Sequence, residues 1–183
     1  PAVFFYGRMN PFTKGHEAAI RSMVRNFPDH KHYVFTSHTQ DKTKNPLTPT
    51  LKKKLIKRSF PGLDVRSTRP KTAQNPMPGL FDIVKFLKTK GHPEIVLVAG
   101  SDRVPKYKVM FTKYTNTGNV KVRKVGSNRN NKAPSNTLAS ISGTRARRAA
   151  LSGNINSLRR ILSTSSTDRN VSKVFSAIRR TIT

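Results

Sequence analysis

The sequence predicts an α/β chain on a doubly wound parallel sheet of four or five strands, with helices at its C-terminal end. Short apolar runs of strand length alternate with longer segments whose apolar residues recur at helical period. One run, Glu94–Ala99 ("EIVLVA"), is continuously apolar apart from its first residue, as a central parallel strand covered on both faces requires. Glycine and proline punctuate the alternation. Parallel strands joined by right-handed helical crossovers make the expected architecture Rossmann-like.

The elements follow in order. Ala2–Tyr6 is a short apolar strand ended by Gly7, and Gly15–Phe27 carries Ala18, Ala19, Met23, Val24 and Phe27 at helical spacing. Lys31–Ser37 alternates about Tyr33, Val34 and Phe35, and a polar loop, His38–Asn45, leads to a second helix. Thr48 caps that helix, Pro49 suits its first turn, Leu51, Leu55 and Ile56 share a face, and Phe60-Pro61-Gly62 stops it. Val65–Thr68 reads as a short strand and Pro70–Pro78 as a loop. Gly79–Lys90 is a helix with Phe81, Ile83, Val84, Phe86 and Leu87 on its apolar side, closed by Gly91-His92-Pro93. After Glu94–Ala99, Gly100-Ser101-Asp102 turns the chain into another helix, and Val120–Val125 alternates as a last strand. Ile155, Leu158, Ile161 and Leu162 have helical spacing. A Ser/Thr-rich link, Ser163–Thr167, then precedes an amphipathic helix about Val171, Val174, Phe175 and Ile178, which packs back on the domain or docks on a protein partner. The domain division expected is 1–162 for the α/β domain and 163–183 for the link and final helix.

Composition bounds the function. The 183 residues are long enough to bury a proper core, and the absence of cysteine excludes a disulfide framework and a thiolate zinc site. No run approaches the roughly 18 apolar residues that span a bilayer, and no basic region with an apolar segment and cleavage site opens the chain. A soluble protein with no membrane partner is expected, intracellular or packaged within a virus particle. Thirty-six Lys and Arg against eight Asp and Glu give a net charge of +28, spread from Lys52-Lys53-Lys54 to Arg179 and Arg180. A folded body coated in positive charge repels itself unless anions sit nearby, so nonspecific nucleic acid is an expected partner. His30, His32, His38 and His92 lack metal-site spacing and read as surface or loop residues; no metal site of the protein's own is expected.

Ligands of open parallel sheets bind at the carboxyl ends of the strands, and two stretches converge there. In the first, Gly7 frees the backbone at a strand tip, and Gly15-His16 opens a helix whose unpaired amides and positive dipole end face an incoming anion. In the second, "SISGTRARRAAL" from Ser140 to Leu151, Ser142, Gly143 and Thr144 precede a helix bearing Arg145, Arg147 and Arg148. Hydroxyls, free amides and guanidinium groups at one helix entrance complement polyphosphate oxygens. Read alone, the same residues also suit plain roles: His16 as a helix-turn residue, Ser142 and Thr144 as caps, the arginines as part of the coat.

"GRMNPFTKGH" (7–16), "VAGSDRV" (98–104) and "ISGTRAR" (141–147) together resemble the (H/T)xGH nucleotidylyltransferases: the nicotinamide-nucleotide and phosphopantetheine adenylyltransferases and the small cytidylyltransferases. "SHTQDKTKNPLT" (37–48) is similar to the archaeal-type nicotinamide-nucleotide enzymes and to related proteins of large DNA viruses and phages. The resemblance covers roughly residues 1 to 162, with Thr13 and His16 at the (H/T)xGH positions and Ser142, Thr144 and Arg147 at those of ISxTxxR.

The resemblance implies transfer of a nucleoside monophosphate from ATP or CTP, accompanied by Mg²⁺, to a phosphorylated acceptor with release of pyrophosphate. It implies that His16 donates to the α-phosphate, that Thr13 hydrogen-bonds a phosphate oxygen, and that Gly7 and Arg8 approach the triphosphate through the loop backbone. Ser142, Thr144 and Arg147 would hold the β- and γ-phosphates, with Lys14 and Lys44 as helpers. Three roles stay open to Asp102: helix cap, nucleotide contact, or aid to Mg²⁺. The charge keeps a second function class in view, a basic structural protein on this fold that binds nucleic acid in a virion or ribonucleoprotein.

Overall fold

The computed structural model describes residues 1–74, 79–113, 120–126 and 141–182. Residues 75–78 of the expected loop, and Ser140 at the head of the second stretch, lie outside the described residues. Five strands form one sheet: β1 (Ala2–Gly7), β2 (Lys31–Thr36), β3 (Asp64–Ser67), β4 (Ile95–Ala99) and β5 (Val120–Lys124), in the order β3-β2-β1-β4-β5. Every pairing is parallel. The helices are α1 (Lys14–Asn26), α2 (Pro49–Ser59), α3 (Leu80–Thr89), α4 (Val104–Lys113), α5 (Gly143–Leu151), α6 (Ile155–Ile161) and α7 (Asp168–Ile182).

The period-2 alternation of the strands divides the interior into two cores. Val3 and Phe5 of β1, with Val34, Val65, Val96 and Val98, pack against α1, α2 and the C-terminal helices, whereas Ala2, Phe4, Tyr33, Phe35, Ile95 and Leu97 pack against α3 and α4. β4 is buried at all five positions because strands flank it on both sides and helices cover both faces. Thr48 caps α2 by accepting the Leu51 amide at 3.2 Å, with Pro49 at the first helical position. The C-terminal helices belong to the first core: Leu158 of α6 and Val171, Val174 and Ile178 of α7 are fully buried in the same cluster as Met9 and Phe12. The Ser/Thr link between them is tied down as well, for Ser163 is buried and Thr164 bonds Glu17.

Two expectations need correction. Lys52 does not belong to the positive coat: it is wholly buried, and its ammonium donates to the Ser37 carbonyl, to the Ser37 hydroxyl at 3.3 Å and to the Thr39 carbonyl at 3.4 Å. Burial pushes its pKa down to about 8, and the three oxygens match the three N–H donors of the ammonium. One histidine, His32, also departs from the expected surface or loop placement, whereas His30, His38 and His92 lie in turns or loops as expected. His32 lies within β2, half-buried, with its ring nitrogen 2.9 Å from the Phe27 carbonyl, and His92 meets the Tyr33 hydroxyl at 2.9 Å.

The strand order reverses between β1 and β4. Their carboxyl ends, Gly7 and Ala99, flank the crevice where a ligand of such a sheet belongs.

Candidate functional site

A cleft of about 430 Å³ opens at that crevice, within the usual size range for a small-molecule site. The carboxyl end of β1 (Gly7) and the loop after it (Arg8, Met9, Asn10), His16 of α1, the turn after β4 (Gly100, Asp102, Arg103) and the α5 entrance (Ser142, Gly143, Thr144, Arg147) all line it. Seven of the nine site residues expected from sequence are thus on one cleft; Thr13 and Lys14 are not on its wall.

Thr13 sits behind the wall. It is the extended N-cap of α1, 1 % exposed, and its backbone N–H donates to His16 Nδ1 at 3.2 Å, with its hydroxyl 2.9 Å from the same nitrogen. This is the side-chain-to-N-cap half of a capping box, with histidine in the position usually held by Glu or Gln. The Thr13 hydroxyl, expected to meet a phosphate oxygen, is engaged here with His16. A backbone N–H can only donate, so Nδ1 is an acceptor and the neutral ring carries its proton on Nε2. The ring stacks on Phe12 (centroids 6.2 Å apart, 20° between planes) and meets Phe5 edge-on at 6.4 Å, which fixes its orientation.

The residue after His16 anchors the helix. Glu17 is 3 % exposed, and its carboxylate accepts the Thr164 amide at 2.8 Å, the Thr164 hydroxyl at 2.7 Å and the Arg21 guanidinium at 2.8 Å. Burial by itself raises the pKa of this carboxyl, but the bonds from Thr164 and Arg21 outweigh it and the net shift is downward. An isolated antiparallel bridge between Thr13 and Leu162 lies alongside.

The loop after β1 is fixed from several sides. Met9 is buried at a left-handed φ of 46°, and the Asn10–Pro11 bond is cis. Asn10 accepts the Leu47 amide on its side-chain oxygen at 2.8 Å and Arg147 Nη1 on its backbone carbonyl at 2.7 Å, while the Thr36 hydroxyl donates to the Arg8 carbonyl at 3.1 Å.

At the α5 entrance Ser142 is the N-cap, its hydroxyl accepting the Arg145 amide at 3.2 Å. Arg147 reaches back along the same face, Nη2 to the Thr144 hydroxyl at 3.2 Å and Nη1 to Asn10. Burial first, then the positive charge of Arg8, pushes the Arg147 pKa down, yet a guanidinium stays charged near neutrality. Gly143 fits where no larger residue does easily: a Cβ there would lie 3.1 Å from the Asn10 carbonyl oxygen and 3.2 Å from Arg147 Nη1.

Lys14 is half-buried and Lys44 exposed, and neither lines the cleft. Lys44 belongs to a loop in which Asp41 accepts the amides of Thr43 (2.9 Å), Lys44 (2.7 Å) and Asn45 (3.2 Å). Sequence reasoning missed Asn10, Glu17, Arg103 and Tyr107. Asn10 was visible inside the quoted "GRMNPFTKGH", and Glu17 stands out as one of eight carboxylates, set among the apolar positions of a helix. Tyr107 and Tyr6 both line the cleft; burial first, then the neighbouring Tyr107, raises the Tyr6 pKa.

Three arginines (Arg8, Arg103 and Arg147) and one carboxylate, Asp102, stand on the described walls, and Asp102 lies at the rim, 3.7 Å from Arg103 Nε. Among the described residues no three His, Asp or Glu side chains cluster to hold a metal. The donor set suits an anion, and an ion such as Mg²⁺ only where phosphates supply most of its ligands.

No family model and no curated protein matches the sequence. Solved structures do. The chain superposes over 99 % of its length on a bifunctional NMN adenylyltransferase/ADP-ribose pyrophosphatase from Francisella tularensis, with a TM-score of 0.61 and 14 % identity. It has a nucleotidylyltransferase-like fold. A structure of the Francisella protein with AMP and a manganese ion aligns at a TM-score of 0.57 and 16 % identity over 98 % of this chain. In both cases the chain spans only 52 % of that protein's length. A candidate nicotinate-nucleotide adenylyltransferase from Vibrio parahaemolyticus aligns over 94 % of this chain and 97 % of its own, with a TM-score of 0.61 and 18 % identity. Among the described residues no helix is long and apolar enough to cross a membrane.

Proposed function

We propose that the chain is a nucleotidylyltransferase that transfers the nucleoside monophosphate of ATP or CTP to a phosphorylated small-molecule acceptor and releases pyrophosphate. One observation carries the reading: the N-terminal ends of α1 and α5 open on the same arginine-lined cleft at the reversal of strand order. The solved structures of this fold that carry adenylyltransferase names, one of them with AMP, support it.

An oxygen of the acceptor phosphate attacks the α-phosphorus in line, the bond to the pyrophosphate oxygen breaks, and negative charge grows on the non-bridging oxygens. The protein supplies no nucleophile. His16 donates from Nε2 to an α-phosphate oxygen, a bond that strengthens as charge builds, and Thr13 keeps the ring in that tautomer. Ser142, Thr144, Arg147 and the first amides of α5 take the β- and γ-phosphates, while Gly7 and Arg8 meet the triphosphate through the loop backbone. Asp102 is the carboxylate of the described wall that would reach a Mg²⁺ ion accompanying the triphosphate, and such an ion would neutralise part of the phosphate charge.

A second reading, a basic protein packed with nucleic acid, draws support from the charge. Seven of the eight carboxylates are engaged in ion pairs or in the Asp41 loop clasp, so most of the basic coat lacks an internal counter-charge.

A melting screen across the nucleoside triphosphates with Mg²⁺, followed by pyrophosphate-release assays with phosphorylated acceptors, separates the two. ATP or CTP at 100 times its Kd raises stability by about 2.7 kcal/mol. No shift with any triphosphate at millimolar concentration overturns the transferase reading.

A further inference from the structure

The positive charge is not of one kind throughout. Residues 1–140 carry eighteen Lys and nine Arg, whereas residues 141–183 carry eight Arg and one Lys against a single carboxylate, Asp168. Arginine presents a planar fork that pairs with phosphate through two parallel bonds, which a lysine cannot do. Arg147 of this group serves the cleft; most of the remainder points elsewhere.

α7 shows where. Val171, Val174 and Ile178 bury one side of it completely. At 100° per residue, Arg169, Lys173 and Arg180 fall within about 40° of one another on the opposite side, over roughly 16 Å of helix. All three are exposed, with the exposed Ser172 and Ser176 beside them. None of the three has an ion-pair partner among the described residues, because Asp168 is taken by Arg159 at 2.9 Å.

We infer that the solvent face of α7 is a docking surface for the sugar–phosphate backbone of nucleic acid, separate from the nucleotide cleft. A straight row of cations and hydroxyls on a helix fits a regularly charged polyanion, and because contacts to phosphates carry no sequence information, docking through them is independent of sequence. The helix is held in the core by its buried side, so the row is presented ready-made and docking orders little of the chain. A membrane surface is the poorer fit. Interfacial helices bury an apolar face in lipid, and the apolar face of α7 is already inside the protein. The large exposed apolar residues among those described, Val109 and Leu151, both lie off this helix.

The test uses the whole chain, a fluorescent 30-base-pair duplex, and vesicles of mixed neutral and anionic phospholipid. The triple variant Arg169→Gln/Lys173→Gln/Arg180→Gln is compared with Lys53→Gln/Lys57→Gln/Lys85→Gln, which removes the same charge from the β3 side of the sheet. Each phosphate contact adds about 0.9 to the slope of log K against log salt. The α7 triple is expected to lower the slope by about 3 and the control triple by less than 1, with the ATP-induced melting shift retained in both. Arg169→Lys/Arg180→Lys should keep the slope while weakening binding several-fold. Equal losses in the two triples, an unchanged slope in the α7 triple, or loss of vesicle binding with duplex binding intact each overturns the assignment. A wild type that binds duplex but shows no ATP shift removes the transferase reading and leaves this one standing.

Discussion

At the α1 entrance the cleft wall is tied to distant segments of the chain: Glu17 to Thr164, Thr13 to Leu162, and Asn10, just ahead of the helix, to Leu47. At the α5 entrance, among the described residues, the ties to the loop after β1 are Arg147 on the Asn10 carbonyl and the close approach of Gly143 to that same carbonyl. One side is a buttress and the other a latch. On the proposed mechanism the buttressed side carries His16, whose position would matter most in a transition state, and the latched side the groups that would hold a flexible triphosphate, where rigidity matters less. Substitutions on the two sides should therefore fail differently.

The largest difference is expected from His16→Ala. On the proposed mechanism its bond strengthens only as charge develops, so kcat should fall by about 10²- to 10³-fold, the range seen when one oxyanion donor is removed, with little change in the nucleotide-induced melting shift. Arg147→Ala should do the reverse first, shrinking the nucleotide shift before it affects turnover of bound substrate. Pyrophosphate release and thermal shift measured on the same samples check both. If His16→Ala abolishes nucleotide binding as thoroughly as Arg147→Ala does, the division of labour is wrong.

Next in size is Thr164→Val, which attacks the buttress from behind. It removes one hydrogen bond to a buried carboxylate, a loss of about 1.5–3 kcal/mol. The pH dependence gives the signature. The Glu17 pKa lies below its ordinary value of 4.5 in the folded protein, so its contribution to stability is present above that value and disappears as pH falls through the folded pKa. Thr164→Val moves the folded pKa back upward, so the variant should be less stable than wild type near neutrality and converge with it in acid, as pH falls through the lowered folded pKa of the wild-type Glu17. Urea melts at pH 7 and at acid pH measure this, and a gap that does not close in acid means that Glu17 is not the partner lost.

How much of this was legible beforehand follows from distance along the chain. The alternation of strands and helices, the doubly covered β4 and the Thr48 cap are written in periods of two, in 3.6-residue repeats and in neighbours three residues apart. The two helix entrances were visible for the same reason, as local runs of glycine, hydroxyl and arginine. Lys52 was not, because the first lysine of a run of three reads as surface; only the folded positions of the Ser37 and Thr39 carbonyls offset the cost of its burial. The buttress was equally hidden. Glu17 and Thr164 stand 147 residues apart, and nothing local in the Ser/Thr link says that it anchors a helix at the other end of the chain. At Thr13 the motif marks a position and not the atom it touches, so its contact with His16 is seen only in the folded chain.

The smallest effect on stability, and the sharpest test of the latch, is Gly143→Ala. Gly143 is the first residue of α5 and its φ is not in the left-handed region, so alanine suits the backbone and gains helix propensity of up to about 1 kcal/mol over glycine. Against that gain, the new Cβ would meet the Asn10 carbonyl oxygen at 3.1 Å and Arg147 Nη1 at 3.2 Å, both tighter than ordinary contact. The carbonyl cannot retreat easily, because the Asn10 side chain is fixed by the Leu47 amide and the next peptide leads into the buried Phe12. The guanidinium can, as the far end of a flexible side chain. The two effects on folding should nearly cancel, leaving the melting temperature of the free protein within a few degrees of wild type. The Arg147–Asn10 bond is what gives way, so the arginine loses its fixed aim into the cleft and the nucleotide-induced shift should shrink while folding is untouched. A free-protein melting point lowered by more than about 10 °C, or a nucleotide shift equal to wild type, would show that the α5 entrance is buttressed like its counterpart and that the two sides of the cleft do not differ in kind.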